Sequence, residues 1–416
     1  MVVHSATLAI NEEMQARLRR GESVVHLGFG EAGLPVLPEI TGALHAAADL
    51  NAYGPVTGSP PVRESAAGYL TRRGMPTQAD QVVLAPGSKA LLFALMCAVP
   101  GDVVLPTPSW VTYAAQASLT GKRVLPVPIP SRAGGVPDPD LLEDALVRAR
   151  AEGADPRILM LTLPDNPTGT SADGGTVARV CALARRHGLV VLSDEIYGDL
   201  AEHPAEVPRP AALLGDHVVC TAGLSKNLAL GGWRIGFART PATAWGRDLM
   251  TRLVGVASEV WSSLSMPMQV AAGFVLDEPD AVTARVAASR RLHLAVSHAM
   301  YDVFTDAGAV CRRPSAAFYL YPDLEALRAG FARHGATTGA TAAAHLLDRH
   351  GIGVLPGESF GDDPRALRFR VATSLLYGQG EQRLRALDSD DPVRLPWISA
   401  ALATVRDALD EVSHPG

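Results

Sequence analysis

Lysine is scarce in this 416-residue chain. Only Lys89, Lys122 and Lys226 occur among its 37 basic residues, so basic surface is delegated almost wholly to arginine. Cysteine is scarce too: Cys97, Cys181, Cys220 and Cys311 are widely spaced within apolar runs. That spacing offers no metal-ligand pair and predicts buried free thiols in a reducing compartment in place of disulfides. There is no excess of positive charge, the formal net charge being -6, which argues against a nucleic-acid partner. No uninterrupted apolar run is long enough to span a bilayer, which argues against a membrane partner, and the amino terminus shows no basic-then-apolar signal segment. These absences predict a cytoplasmic protein. What is present, 47% hydrophobic and 19% charged residues over this length, predicts a globular enzyme of two or three structural units.

Seven short apolar runs punctuate the middle of the chain, at residues 81–84, 102–105, 123–127, 158–161, 189–192, 217–220 and 234–237. Each ends in turn residues and alternates with helix-like stretches such as 176–187. Unbroken apolar runs of this length read as strands buried on both faces, hence an α/β fold with a mainly parallel seven-stranded sheet flanked by helices. Residues 46–290 are assigned to this large domain. Residues 1–45 and 291–416 are expected to form a smaller α+β domain, with strand-like segments at 317–321 and 367–372 and an irregular charged insertion at 375–396.

Ligands gather at the carboxyl ends of the strands of such sheets. Here those ends carry Gly87-Ser88-Lys89, Ser109-Trp110, Asp165-Asn166-Pro167-Thr168-Gly169, Asp194-Glu195-Ile196-Tyr197 and Gly223-Leu224-Ser225-Lys226. Gly87-Ser88 opens a helix directly after a strand, so backbone amides and a hydroxyl converge where a phosphate would sit. Lys226 stands in a stretch of small and hydroxyl residues followed by Gly231-Gly232 and Arg234, which lacks the apolar period of a solvated helix. A lysine amine loses its proton when desolvated and can then condense with an aldehyde. Gly28-Phe29-Gly30-Glu31-Ala32-Gly33 spells a dinucleotide fingerprint, but Pro35 and Pro38 postpone the helix that the fingerprint requires.

Taken in order, these motifs resemble the class I/II aminotransferases, fold type I pyridoxal 5'-phosphate enzymes related to aspartate aminotransferase, over the chain from Gly28 onward. The resemblance implies pyridoxal 5'-phosphate as cofactor and Lys226 as its Schiff-base and proton-carrying lysine. It implies that Asp194 pairs with the pyridine nitrogen and that Tyr197 and Asn166 hydrogen-bond the phenolic oxygen. Gly87, Ser88, Ser225 and Arg234 would hold the phosphate, and Trp110 would stack on the ring; Lys89 departs from the family pattern, its amine either adding a phosphate contact or facing solvent. Tyr53 would be lent by a neighbouring subunit, making the enzyme a homodimer with shared sites. Gly30, Asn166 and Arg368 would meet the substrate carboxylate, Arg368 being chosen over Arg370 by its distance from Ala372-Thr373.

The activity implied is transfer of the α-amino group of an L-amino acid to a 2-oxo acid. Residues 261–268, Trp261 to Met268, hold no cation, which argues against aspartate or glutamate as the preferred donor, and Trp261, Met266 and Met268 favour an apolar pocket. Two alternatives stand beside this reading. The same residues would serve elimination, replacement, cyclisation or another lyase reaction, and the 375–396 insertion keeps that open. A regulatory cofactor-binding module is the other, but no basic patch supports it.

Overall fold

The computed structural model describes residues 4–413. Its centre is a seven-stranded sheet ordered Val82–Pro86, Ile235–Arg239, Val218–Gly223, Val190–Asp194, Pro156–Thr162, Asp102–Thr107, Val124–Pro128. Ile235–Arg239 is antiparallel to both neighbours and every other pair is parallel. All seven expected strands are therefore present. The central positions of these strands are apolar on both faces because the sheet is covered on both sides: Leu84, Val104, Leu159, Leu161 and Val191 enter one apolar cluster. Val83, Val103, Ile158, Met160 and Leu192 enter another on the opposite face. Side chains alternate across a strand, so two buried faces demand an unbroken apolar run. Each such fully buried side chain contributes on the order of 2 kcal/mol.

A separate apolar cluster joins the two ends of the chain. Val25, Leu27 and Leu34 pack with Leu292, Val296, Met300, Phe331, Val371 and Leu409. Two small sheets serve this unit. Val25–His26 pairs in parallel with Ile352–Gly353, and Phe369–Ala372 lies antiparallel between Leu355–Pro356 and Tyr319–Leu320. The 27-residue helix Asp280–Asp306 spans the two units, with Val282 in the large core and Leu292 in the small one. A cut at residue 290 thus falls inside a continuous helix, and Ile40, placed by sequence with the small unit, packs in the large core.

Three expectations change. The 375–396 segment is not irregular throughout: Glu381–Asp388 is a helix, and Leu376 and Tyr377 are buried, Tyr377 OH bonding His293 Nδ1 at 2.6 Å. Cys97 is exposed and Cys311 only half-buried, so burial holds for Cys181 and Cys220 alone. The helix Ala6–Arg19 had no sequence counterpart, since it buries only Thr7 and Met14 and so carries almost no apolar period. The fingerprint-like segment runs without a helix until Pro38, in agreement with its prolines. Among the described residues, no helix is long and apolar enough to cross a membrane.

Candidate active site

Register brings the motif-bearing strand ends to one edge. Thr162 is level with Asp194 and Asp194 with Thr221, while Gly223 faces Gly236 and Pro86 faces Ile235 across the antiparallel strand. There they surround a cavity of about 480 Å³. Gly30, Ser88, Lys89, Trp110, Asn166, Asp194, Tyr197, Ser225, Lys226 and Arg234, all expected from sequence, line it.

At one end is an anion cradle. Gly87 caps the helix Ser88–Ala98 with φ 89°, a conformation open to glycine, and a Cβ there would lie 2.2 Å from Arg234 Nη2. Arg234 is held over the helix start by its own left-handed backbone, φ 57°, and by donating from Nη1 to Gly231 O at 2.9 Å. The helix amides, the Ser88 and Ser225 hydroxyls and this guanidinium suit a phosphate. Lys89 stands beside them with Nζ 5.3 Å from the Trp110 ring centroid. Burial and the Arg234 charge lower its pKa.

The floor carries a carboxylate that lacks half its partners. Asp194, 2% exposed, accepts a 2.9 Å hydrogen bond from Tyr113 OH on Oδ2, while its buried Oδ1 has none. Burial pushes its pKa up to about 6 against the Tyr113 hydrogen bond. A ligand N–H aimed at Oδ1 is what this group lacks. Asn166 donates to Tyr197 OH at 3.4 Å, and Tyr197 OH meets Tyr319 OH at 2.9 Å, forming a polar cluster on the neighbouring wall.

Lys226 reaches into the centre. Its Nζ donates to Gly30 O at 2.5 Å. Burial, then the Arg370 and Arg234 charges, lower its pKa to about 8 against Glu31 and Asp194. The amine is thereby brought within reach of its nucleophilic, unprotonated form near neutral pH.

The choice of Arg368 is corrected by the geometry. Arg368 does not line the cavity; its Nε donates to Asp323 at 2.8 Å and its Nη1 to Asp362 at 3.0 Å, so its charge is already neutralised at the rim. Arg370, two residues further along the same strand face, is fully buried and lines the cavity. Its Nη2 donates to Gly28 O at 2.5 Å and its Nη1 to Asn166 Oδ1 at 3.5 Å, while Nε has no partner. A buried cation facing only neutral acceptors calls for an anionic ligand. A two-residue step along an extended strand is about 7 Å, and sequence offered nothing to say which of two arginines on one face would meet an acid.

Tyr53 is 94% exposed and does not line the cavity of its own chain. Trp261, Met266 and Met268 do not line it either. Four further lining residues were not expected from sequence. Tyr113 lies one helical turn beyond Trp110, a spacing that was available as a signal. Tyr319, and Thr7 with Leu8, arrive only through docking of the small unit and the first helix.

The chain is similar to an aspartate aminotransferase of Streptomyces avermitilis, 30% identical with 92% of each chain covered. It is also similar to an arginine–pyruvate transaminase of Pseudomonas aeruginosa, 30% identical over 86% of this chain and 87% of the relative. Among solved structures it superposes on the aspartate aminotransferase of Thermus thermophilus with maleate at a TM-score of 0.81, with 27% identity, covering 93% of this chain and 96% of the other. The expectation that an acidic donor is disfavoured is not borne out, since such relatives are named for aspartate. Residues 261–268 do not line the cavity, whereas Lys89 does. Residues 22–375 match the family "Aminotransferase class I and II", and the chain belongs to that family of transferases.

Proposed function

We propose that this aminotransferase uses pyridoxal 5'-phosphate, held in the cavity described above, to move the α-amino group of an L-amino acid to a 2-oxo acid. One observation carries the reading. The Lys226 amine, a carboxylate oxygen of Asp194 without a partner and the buried Arg370 guanidinium open on the same cavity as an anion cradle. The residues fit the group: Gly87, Ser88, Ser225 and Arg234 suit its phosphate, Asp194 its pyridine N–H, Asn166 and Tyr197 its phenolic oxygen, and Trp110 its ring. When bound, the cofactor supplies an aldehyde and an electron-accepting ring.

The protein's own work is then positional and protolytic. Lys226 Nζ, kept near neutrality by burial, serves as nucleophile and afterwards carries the proton between substrate Cα and its destination. Arg370 grips the substrate α-carboxylate with the Nε and Nη1 hydrogens that the protein leaves weakly engaged, and Asn166 adds a polar contact. Asp194 holds a positive charge at the cavity floor. Tyr319 and Tyr197 brace each other at right angles, with ring centroids 5.5 Å apart, on the wall beside Asn166.

Tyr53, exposed near Leu50, is read as a residue given to a partner copy's phosphate site, making the active enzyme a homodimer. An active monomer by sedimentation would overturn that. The two apolar cores support a large cofactor-binding unit and a small unit built from both chain ends, and a cytoplasmic setting remains part of the proposal. To test the activity, the protein loaded with pyridoxal 5'-phosphate is incubated with an amino-acid panel, including aspartate, with and without 2-oxo acids. Amino transfer by wild type and none by Lys226→Ala is expected. Ammonia or a cyclised product formed without an oxo acid would support the elimination or cyclisation alternative and overturn the reading.

A further inference from the structure

Phe29 lies at the cavity wall. It lines the cavity together with Thr7 and Leu8 of the helix Ala6–Arg19. Unlike most phenylalanines of the chain it belongs to none of the apolar clusters of the fold, and it is only half-buried. Leu8 is likewise 40% exposed. Apolar surface left at the wall of a site has its partner in a ligand.

The backbone around Phe29 is pinned at four points. A Cβ on Gly28 would lie 2.7 Å from Ile10 Cγ1, and one on Gly30 would lie 2.2 Å from Tyr319 Oη, so the segment threads a gap that admits only glycine on either side. The carbonyl of Gly28 accepts from Arg370 and that of Gly30 from Lys226. Phe29 is therefore the single side chain on a strap fastened to both the carboxylate-binding guanidinium and the reacting amine. Any amino acid whose carboxylate meets Arg370 while its amino group meets Lys226 brings its Cα alongside this residue.

From this geometry, and resting on the assignment of Arg370 as carboxylate clamp, we propose that Phe29, with Leu8, forms the wall that determines side-chain specificity and accepts large apolar or aromatic amino acids. The wall adds such donors to the repertoire. Phe29 does no chemistry, and its contribution scales with the substrate surface it covers.

The test compares kcat/KM for phenylalanine, leucine and alanine, with one oxo-acid acceptor, in the loaded wild type, Phe29→Ala, Phe29→Leu and Leu8→Ala. Removing the ring should lower the phenylalanine-to-alanine ratio about ten-fold or more, the range for losing such contacts in an apolar pocket. Phe29→Leu should recover most of it, and the exposed Leu8 should give a smaller loss of the same sign without disturbing the fold. A ratio changed less than ten-fold in Phe29→Ala, or wild type inactive on both phenylalanine and leucine, overturns the proposal. Arg370→Ala separates the two readings: it should depress all three substrates alike, and if it does not, the clamp assignment fails irrespective of Phe29.

Discussion

Asp194→Asn should make the cofactor-free protein more stable at neutral pH relative to acid while abolishing catalysis. In the folded chain, burial raises this carboxyl from 3.8 to about 6. A folded value above the unfolded one means that the native state holds the proton more tightly. The associated stability is complete below the unfolded pKa and is lost as pH rises from about 4 through 6. A gap of about two units corresponds to ~3 kcal/mol lost by pH 7.5, of which roughly half disappears between pH 5 and 7.5. Asparagine keeps the shape and can still accept from Tyr113, but its amide leaves a neutral donor unpaired, a pH-independent cost of about 1–3 kcal/mol. The difference in unfolding free energy between variant and wild type should thus move in the variant's favour by ~1.5 kcal/mol between pH 5 and 7.5. Urea unfolding of the cofactor-free proteins at the two pH values reads this out. Adding pyridoxal 5'-phosphate should then stabilise wild type more than the variant, since only wild type offers an anion to the pyridine N–H. A difference that is flat with pH, or that moves against the variant as pH rises, would refute the view of Asp194 as a charge made costly by burial.

Three further outcomes concern the same cavity and its rim. Arg370→Ala should raise the KM for amino-acid donors by about a hundred-fold or more, as expected for losing a charge-assisted paired contact of roughly 3 kcal/mol. Arg368→Ala, whose charge is spent on Asp323 and Asp362, should change KM less than about three-fold. The rate at which cofactor-free protein captures pyridoxal 5'-phosphate, followed by absorbance, should rise with pH to a plateau with a midpoint near the Lys226 pKa of about 8. A midpoint near the ordinary lysine value of 10.5 would show that the amine is not desolvated as the structure has it.

Much of this site was legible in the chain because its residues sit at strand ends. Runs such as Val190–Asp194 declare a buried strand, and a polar residue immediately after one lies at the sheet edge whatever the rest of the fold does. That logic reached Lys226, Asp194, Asn166, Gly87 and Ser88, which are positioned by the sheet alone. It failed for Arg370, in the four-residue strand Phe369–Ala372 of the small unit, and for Arg368 just before that strand, where the partner of each arginine is set by other segments. It failed likewise for donor preference, because residues 261–268 do not line the cavity.

The sequence by itself determined the sheet, its burial on both faces, the edge at which chemistry gathers and the scarce lysine at its centre. Apolar period and turn residues are local properties, readable before the chain folds. Tertiary structure alone decided which arginine stays unpaired, that Tyr319 backs Tyr197, that Asp194 keeps an oxygen without a partner, and that Phe29 faces the cavity. The arginine, the tyrosine pair and Phe29 depend on how the small unit, gathered from both ends of the chain, closes over the sheet edge, whereas Asp194 depends on how Tyr113 packs within the large unit. Contacts between residues more than a hundred positions apart leave no periodic trace in the chain.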